Sequence, residues 1–88
     1  MDPRYTVRIK RSALKALQRI RKDIQMQLRK RINALAIDPR PHGVETLKGK
    51  GPKILRLRVG KYRVIYTVED DRLIVLIVRV AHRREYYR

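Results

Sequence analysis

The sequence predicts a single α+β domain over residues 1–88, in the order β-α-α-β-β-β, with a helix hairpin packed on one face of a small, curled, antiparallel-rich sheet. Three stretches carry that reading. Ile54 to Val68 alternates apolar and polar residues on either side of Gly60-Lys61. Leu14, Leu17, Ile20, Ile24, Leu28, Ile32 and Leu35 fall three or four residues apart. Leu73 to Val80 is apolar at almost every position, as a strand covered on both faces is.

Taken in order, Tyr5-Thr6-Val7-Arg8-Ile9 alternates and is β-prone, which predicts a short first strand with Tyr5, Val7 and Ile9 inward. Ser12 is placed to cap the helix that follows. The helical spacing runs on for more than twenty residues, too long for so small a sheet. A turn near Arg21-Lys22 with Asp23 as the second cap divides it into an antiparallel pair. Asp38-Pro39 ends the pair, because the residue before proline avoids the α region. Pro39 to Pro52 holds three Gly and three Pro and reads as a connecting loop. Gly60-Lys61 is a two-residue hairpin loop, since a type II′ turn needs φ > 0 at its first central position. Glu69 to Arg72 is the next turn, and the chain after Val80 is expected to close without a final helix.

Composition narrows the partners. The chain carries 24 Lys+Arg against 8 Asp+Glu, a net charge of +16, and sixteen of the basic residues are Arg. Arg contacts phosphate in a planar, bidentate way, so this balance points to nucleic acid or an acidic protein that imitates it. With no Cys there is no disulfide, zinc–thiolate site or thiol nucleophile. No apolar run approaches the roughly 20 residues of a membrane span, and no leader is visible. A cytoplasmic protein with no membrane partner, metal or small-molecule cofactor is therefore expected. Leu47-Lys48-Gly49-Lys50-Gly51 is Gly-rich with Lys but lacks the spacing of a nucleotide-binding loop. The basic residues between the apolar helix positions (Arg19, Lys22, Arg29, Lys30, Arg31) read most simply as a solvated face.

The hairpin supplies the candidate site. A two-residue loop sets Val59 opposite Tyr62, Arg58 opposite Arg63, Leu57 opposite Val64 and Arg56 opposite Ile65. Side chains alternate along a strand, so Leu55, Leu57, Val59, Tyr62, Val64 and Tyr66 share one face and Arg56, Arg58 and Arg63 the other. Like charges directly opposite each other destabilise a sheet. Three guanidinium groups on one face make physical sense if an anion binds over them.

Leu47-Lys48-Gly49, the hairpin Leu57-Arg58-Val59-Gly60-Lys61-Tyr62-Arg63-Val64-Ile65-Tyr66 and the tail His82-Arg83-Arg84-Glu85-Tyr86-Tyr87 together resemble the RelE/ParE superfamily, toxins of toxin–antitoxin pairs. The resemblance spans the chain and implies a RelE-like fold and one of two activities. The RelE branch cleaves mRNA in the ribosomal decoding site without a metal, by attack of the 2′-hydroxyl on the adjacent phosphate. The ParE branch poisons DNA gyrase and lacks the nuclease residues. By resemblance, Arg63, Arg83, Tyr87 and Arg56 match catalytic positions of the nuclease branch, Arg56 standing where lysine is common. Arg58, Lys48, Lys50, Lys53, His82 and Arg84 are the expected RNA- or ribosome-binding residues. An acidic cognate antitoxin, the ribosome and mRNA are the implied partners.

Chemistry fits those roles. Charge building on the non-bridging phosphate oxygens is stabilised by fixed guanidinium groups, and Tyr87 offers a face for an unpaired base. An arginine at position 56 cannot readily act as general base, so the base is sought among Lys48, Lys50, Lys53, His82 and Tyr87. The rival readings are a ParE-like gyrase poison without RNase activity and a non-catalytic basic RNA-binding module.

Overall fold

The computed structural model describes residues 4–47 and 53–86. Its elements run β1 (Thr6–Ile9), α1 (Arg11–Gln18), α2 (Lys22–Ala34), β2 (Glu45–Leu47), β3 (Ile54–Val59), β4 (Tyr62–Glu69), β5 (Ile74–His82) and α3 (Arg83–Tyr86). One five-stranded sheet has the order β1-β5-β4-β3-β2. Every neighbouring pair is antiparallel except β1 with β5, which is parallel, with Thr6 opposite Ile74 and Ile9 opposite Ile77. The expected α+β architecture holds, and the doubly apolar β5 is an interior strand between β1 and β4.

Both helices cover one face of the sheet. Ala13 and Leu17 of α1 and Leu28 and Ile32 of α2, with Leu35 just beyond it, pack on Leu55, Leu57, Val64, Tyr66, Val75 and Ile77. This is the helical stripe meeting the inward half of each alternating strand. Tyr5, Val7 and Ile9 flank that core as expected. The hairpin register matches the sequence expectation at every pair, from Val59–Tyr62 to Arg56–Ile65. Gly60 supplies the positive φ of the turn, +59°.

Five local expectations are corrected. Ser12 does not cap α1: the helix begins two residues earlier than that cap implies, at Arg11, with Lys10 at the N-cap and no side-chain cap bond. Asp23 does not cap α2 either. It sits in the first turn, where the Arg21 guanidinium donates to it from the N-cap position at 2.7 and 2.8 Å. The 39–52 segment is not loop throughout, because Glu45–Leu47 adds an edge strand to β3. Leu73 belongs to the turn before β5, at φ 53°, and not to the strand. The chain also does not end as plain coil after the sheet, since Arg83–Tyr86 forms one helical turn. Each miss involves three residues or fewer, or a single turn, where periodicity carries almost no information.

Asp70 ties three separate segments together at the far end of the sheet. It accepts from the Tyr5 hydroxyl at 2.7 Å and from both terminal nitrogens of Arg40 at 3.1 and 2.8 Å. The Arg40 guanidinium and then the Tyr5 hydroxyl draw its carboxyl down to about 2. Nearby, the buried Tyr66 hydroxyl donates to the Pro39 carbonyl at 2.7 Å, and burial pushes its phenol up to about 12. Among the described residues no helix is long and apolar enough to cross a membrane.

Candidate active site

The face of the sheet turned away from the helices carries the arginines. In strand order, one cross-strand row reads Glu45, Arg56, Ile65, Arg79, and the next reads Arg58, Arg63, Ala81. Strands lie about 4.8 Å apart, so these two rows gather four guanidinium groups and one carboxylate in a small area. β4 is the middle strand of the five, which places Arg63 at the centre of the face.

Arg63 is the unusual member. It is 3 % exposed, the only charged residue among the described ones to be buried. Its Nε and Nη1 are shielded and meet no hydrogen-bond acceptor among the described residues. Its cross-strand neighbours are Arg58, a like charge, and Ala81, which contributes only a methyl. An uncompensated buried guanidinium costs several kcal/mol by order of magnitude, so it persists where function requires it.

Arg56 is held by Glu45, whose carboxylate accepts from its Nη2 across the β2–β3 pair. The Arg56 hydrogen bond, with the added fields of Arg58 and Arg63, holds the Glu45 carboxyl below the usual carboxylate range. Glu45 was missed in the sequence. The only signal was an acid between β-branched Val44 and Thr46 inside a Gly- and Pro-rich stretch, and β2 is too short to show a period. It is the protein's own anion over the arginine face.

The tail residues stand at the hairpin tip. Arg83 follows Ala81, the neighbour of Arg63, by two residues, and its backbone N–H donates to the Lys61 carbonyl at 2.7 Å. Lys61, His82, Arg83 and Arg84 line an open cleft of about 220 Å³. His82 lies on the helix side of the sheet, opposite Tyr62, with the two rings edge to face at 5.2 Å. Lys53 is exposed just ahead of β3. Arg56, Arg58 and Arg63 thus come together on the sheet, while Arg83 and Arg84 stand at the hairpin tip beside Lys61 and His82. Lys48, Lys50 and Tyr87 lie outside the described residues. Among the described residues no three His, Asp or Glu side chains are grouped as a metal site.

Comparison with known proteins gives this geometry a lineage. The family model for the ParE toxin of type II toxin–antitoxin systems (parDE) matches residues 7–87. A protein of Escherichia coli assigned as a RelE-like toxin is 31% identical over 80 residues, covering 91% of this chain and 84% of its own. The archaeal RelE–RelB complex of Pyrococcus horikoshii OT3 superposes with a TM-score of 0.82 at 31% identity, over 91% of this chain and 96% of that one. The RelBE2 toxin–antitoxin complex of Mycobacterium tuberculosis gives 0.79 at 27% identity, over 92% and 99%. The chain belongs to the RelE/ParE superfamily and is a toxin of the type II toxin–antitoxin class.

Proposed function

We propose that residues 1–88 form one toxin domain that cleaves mRNA on the ribosome, by metal-independent attack of a 2′-hydroxyl on the adjacent phosphate. The observation that carries this reading is Arg63: a buried guanidinium at the centre of the open face whose Nε and Nη1 meet no acceptor among the described residues. A phosphate is the anion that fits the arginine rows around it, because its non-bridging oxygens accept charge-assisted N–H bonds from several guanidinium groups at once. Charge on those oxygens grows during the transfer, so donors already fixed and shielded from water favour the transition state over the ground state.

Each neighbour has a part. Arg58, directly across from Arg63, binds the same phosphate or the next one. Arg56, held by Glu45, stabilises the developing charge from the adjacent row. Arg83 caps the end of the site and Tyr87 stacks on the base. Lys48, Lys50, Lys53 and Arg84 are the proposed contacts to RNA and ribosome, whereas His82, expected among them, stands opposite Tyr62 on the helix side of the sheet. Glu45 joins the candidates for general base. In the free protein the arginines keep it a weak base, but a bound phosphate takes up their charge and restores its basicity. The RelE chains of the structural neighbours are seen with RelB antitoxins. An acidic antitoxin that covers the arginine face would silence this chain.

The ParE description of the family model favours a second reading, a gyrase poison with no RNA chemistry. Primer extension on translating ribosomes programmed with one mRNA separates the two. Cuts inside decoding-site codons, present with wild type and lost with Arg83→Ala, are the expected result. An absence of cuts at every toxin concentration, with loss of gyrase supercoiling activity, moves the assignment to the ParE mode. RNA binding without cuts or gyrase inhibition leaves the basic RNA-binding module.

A further inference from the structure

The geometry points to His82 as a positioning residue: its imidazole Nδ1 is the N-cap that holds the final turn, and through it Arg83, against the hairpin tip. α3 begins at Arg83, so His82 occupies the N-cap position. Its Nδ1 accepts the backbone N–H of Arg84 at 3.1 Å. An N-cap side chain satisfies the amide two or three residues ahead in just this way. Histidine is not among the residues usually found there, which is why the sequence pattern does not reveal it.

Two further contacts explain why a ring serves here. The imidazole stands edge to face on Tyr62, with ring planes at 86°, a contact that a serine or aspartate cap cannot make. The preceding amide, that of Arg83, is bound by the Lys61 carbonyl in the hairpin turn. The first two amides of α3 are therefore both fixed by residues at the hairpin tip, one directly and one through the ring. The tip belongs to the same hairpin that carries Arg58 and Arg63. His82 thereby couples the tail to the arginine face.

The bond also fixes the tautomer. A nitrogen that accepts must be unprotonated, so the neutral ring carries its proton on Nε2. Protonating Nδ1 removes the lone pair and with it the cap. The charged and titratable groups facing the ring among the described residues are Arg19 and Arg21 from the turn between α1 and α2, Lys61 and Tyr62 from the hairpin, and Arg83 and Arg84 from α3. Arg21 is paired with Asp23.

Three variants and one titration decide the matter, and only the activity arm rests on the nuclease reading. Asparagine places its Oδ1 at the same covalent distance as Nδ1 and is a strong N-cap. Glutamine reaches only the ε position. Phenylalanine keeps the contact with Tyr62 but has no acceptor. By NMR of the full chain, the protection of the Arg84 amide, corrected for intrinsic exchange, is expected to fall roughly fivefold or more in H82F and H82Q. It stays within about twofold of wild type in H82N. In wild type the protection is lost with the same midpoint as the His82 ring titration seen in the same spectra, and H82N removes that midpoint. Ribosome-dependent cleavage follows the same order, with an acid-side fall in wild type that is absent from H82N. Arg84 protection that ignores ring titration, or that H82N fails to preserve, overturns the cap. Protection that behaves as expected while H82F cleaves like wild type overturns the coupling to Arg83. If H82N loses cleavage at every pH while keeping Arg84 protection, His82 acts through Nε2 in proton transfer and the positioning role falls. A wild type that never cleaves removes the proposed activity and leaves the NMR arm to decide the cap.

Discussion

At the scale of single residues, Arg63 sets function against stability. It stands opposite Arg58 and is buried with two nitrogens unmatched among the described residues. Removing a buried charge that lacks a partner is neutral or stabilising when an apolar side chain of similar length replaces it. Arg63→Met is therefore expected to leave urea-unfolding stability unchanged or raise it by about 1–3 kcal/mol, while ribosome-dependent cleavage falls at least ~10²-fold. A large loss of stability would assign Arg63 to the fold instead of the site. Glu45→Gln makes a second case. The amide oxygen still accepts from Arg56, but the negative charge is gone. If Glu45 takes the 2′-hydroxyl proton, kcat on the ribosome drops by roughly 10²–10⁴ while KM does not rise, since a repulsive charge has left the phosphate site. A raised KM with unchanged kcat would reduce Glu45 to a holder of Arg56. The sequence showed which face these arginines share, because alternation along a strand determines faces. It could not show that Arg63 is sealed, because depth depends on what lies beside the strand.

At the scale of elements, what was legible followed the length of the repeating pattern. The apolar positions spaced three or four apart run from Leu14 to Leu35, seven in all across α1, α2 and their ends, and β3, β4 and β5 run six to nine residues each, so one misleading residue does not spoil the period. β2 and α3 have three and four residues, less than two periods of a strand or one turn and a fraction of a helix. The parallel seating of β1 on β5 was hidden for a different reason, since pairing depends on partners far apart in the chain. The bulge between Ile65 and Tyr66 was equally hidden. Side-chain locks on these elements are testable. Tyr66 is the anchor of the stretch after α2, through its bond to the Pro39 carbonyl. Tyr66→Phe leaves that acceptor unmatched and is expected to cost about 1–2 kcal/mol. Its phenol is raised to about 12 when folded, against about 10 when unfolded, and the neutral form is the one the fold prefers. This contribution is therefore complete below about pH 10 and is lost as pH climbs toward about 12. Urea titrations of wild type and Tyr66→Phe across that window should converge as the pH rises. A gap that stays constant would show that the phenol does not titrate with unfolding.

At the scale of the whole molecule, the charge of +16 on 88 residues works in two opposite directions. Within the free chain it is self-repulsion, most acute where Arg56, Arg58, Arg63 and Arg79 share one sheet face and where Arg19, Lys22, Lys30 and Arg31 remain exposed on and between the helices. The ion pairs of the described residues, Arg21–Asp23, Arg40–Asp70, Arg56–Glu45 and Arg72–Glu69, take up only part of it. Toward RNA the same charge is attraction, and binding releases the counterions condensed on the phosphates. Added salt therefore acts with opposite sign on the two properties. Screening of repulsion is expected to raise Tm of the isolated chain by several degrees between about 0.05 and 0.5 M monovalent salt, where the Debye length shrinks from roughly 14 to 4 Å. Over the same range the affinity for a short single-stranded RNA falls log-linearly, with a slope of about −0.7 for each phosphate contacted. Arg58→Ala and Lys53→Ala should each reduce that slope by about the value of one contact. A bound acidic antitoxin cancels the repulsion without salt, because a partner that binds only the folded form adds its own binding free energy to stability. The complex should then show a higher Tm that salt lowers. If salt instead lowers Tm of the free toxin, the arginine face is already compensated within the fold, and the anion it awaits is not needed to relieve it.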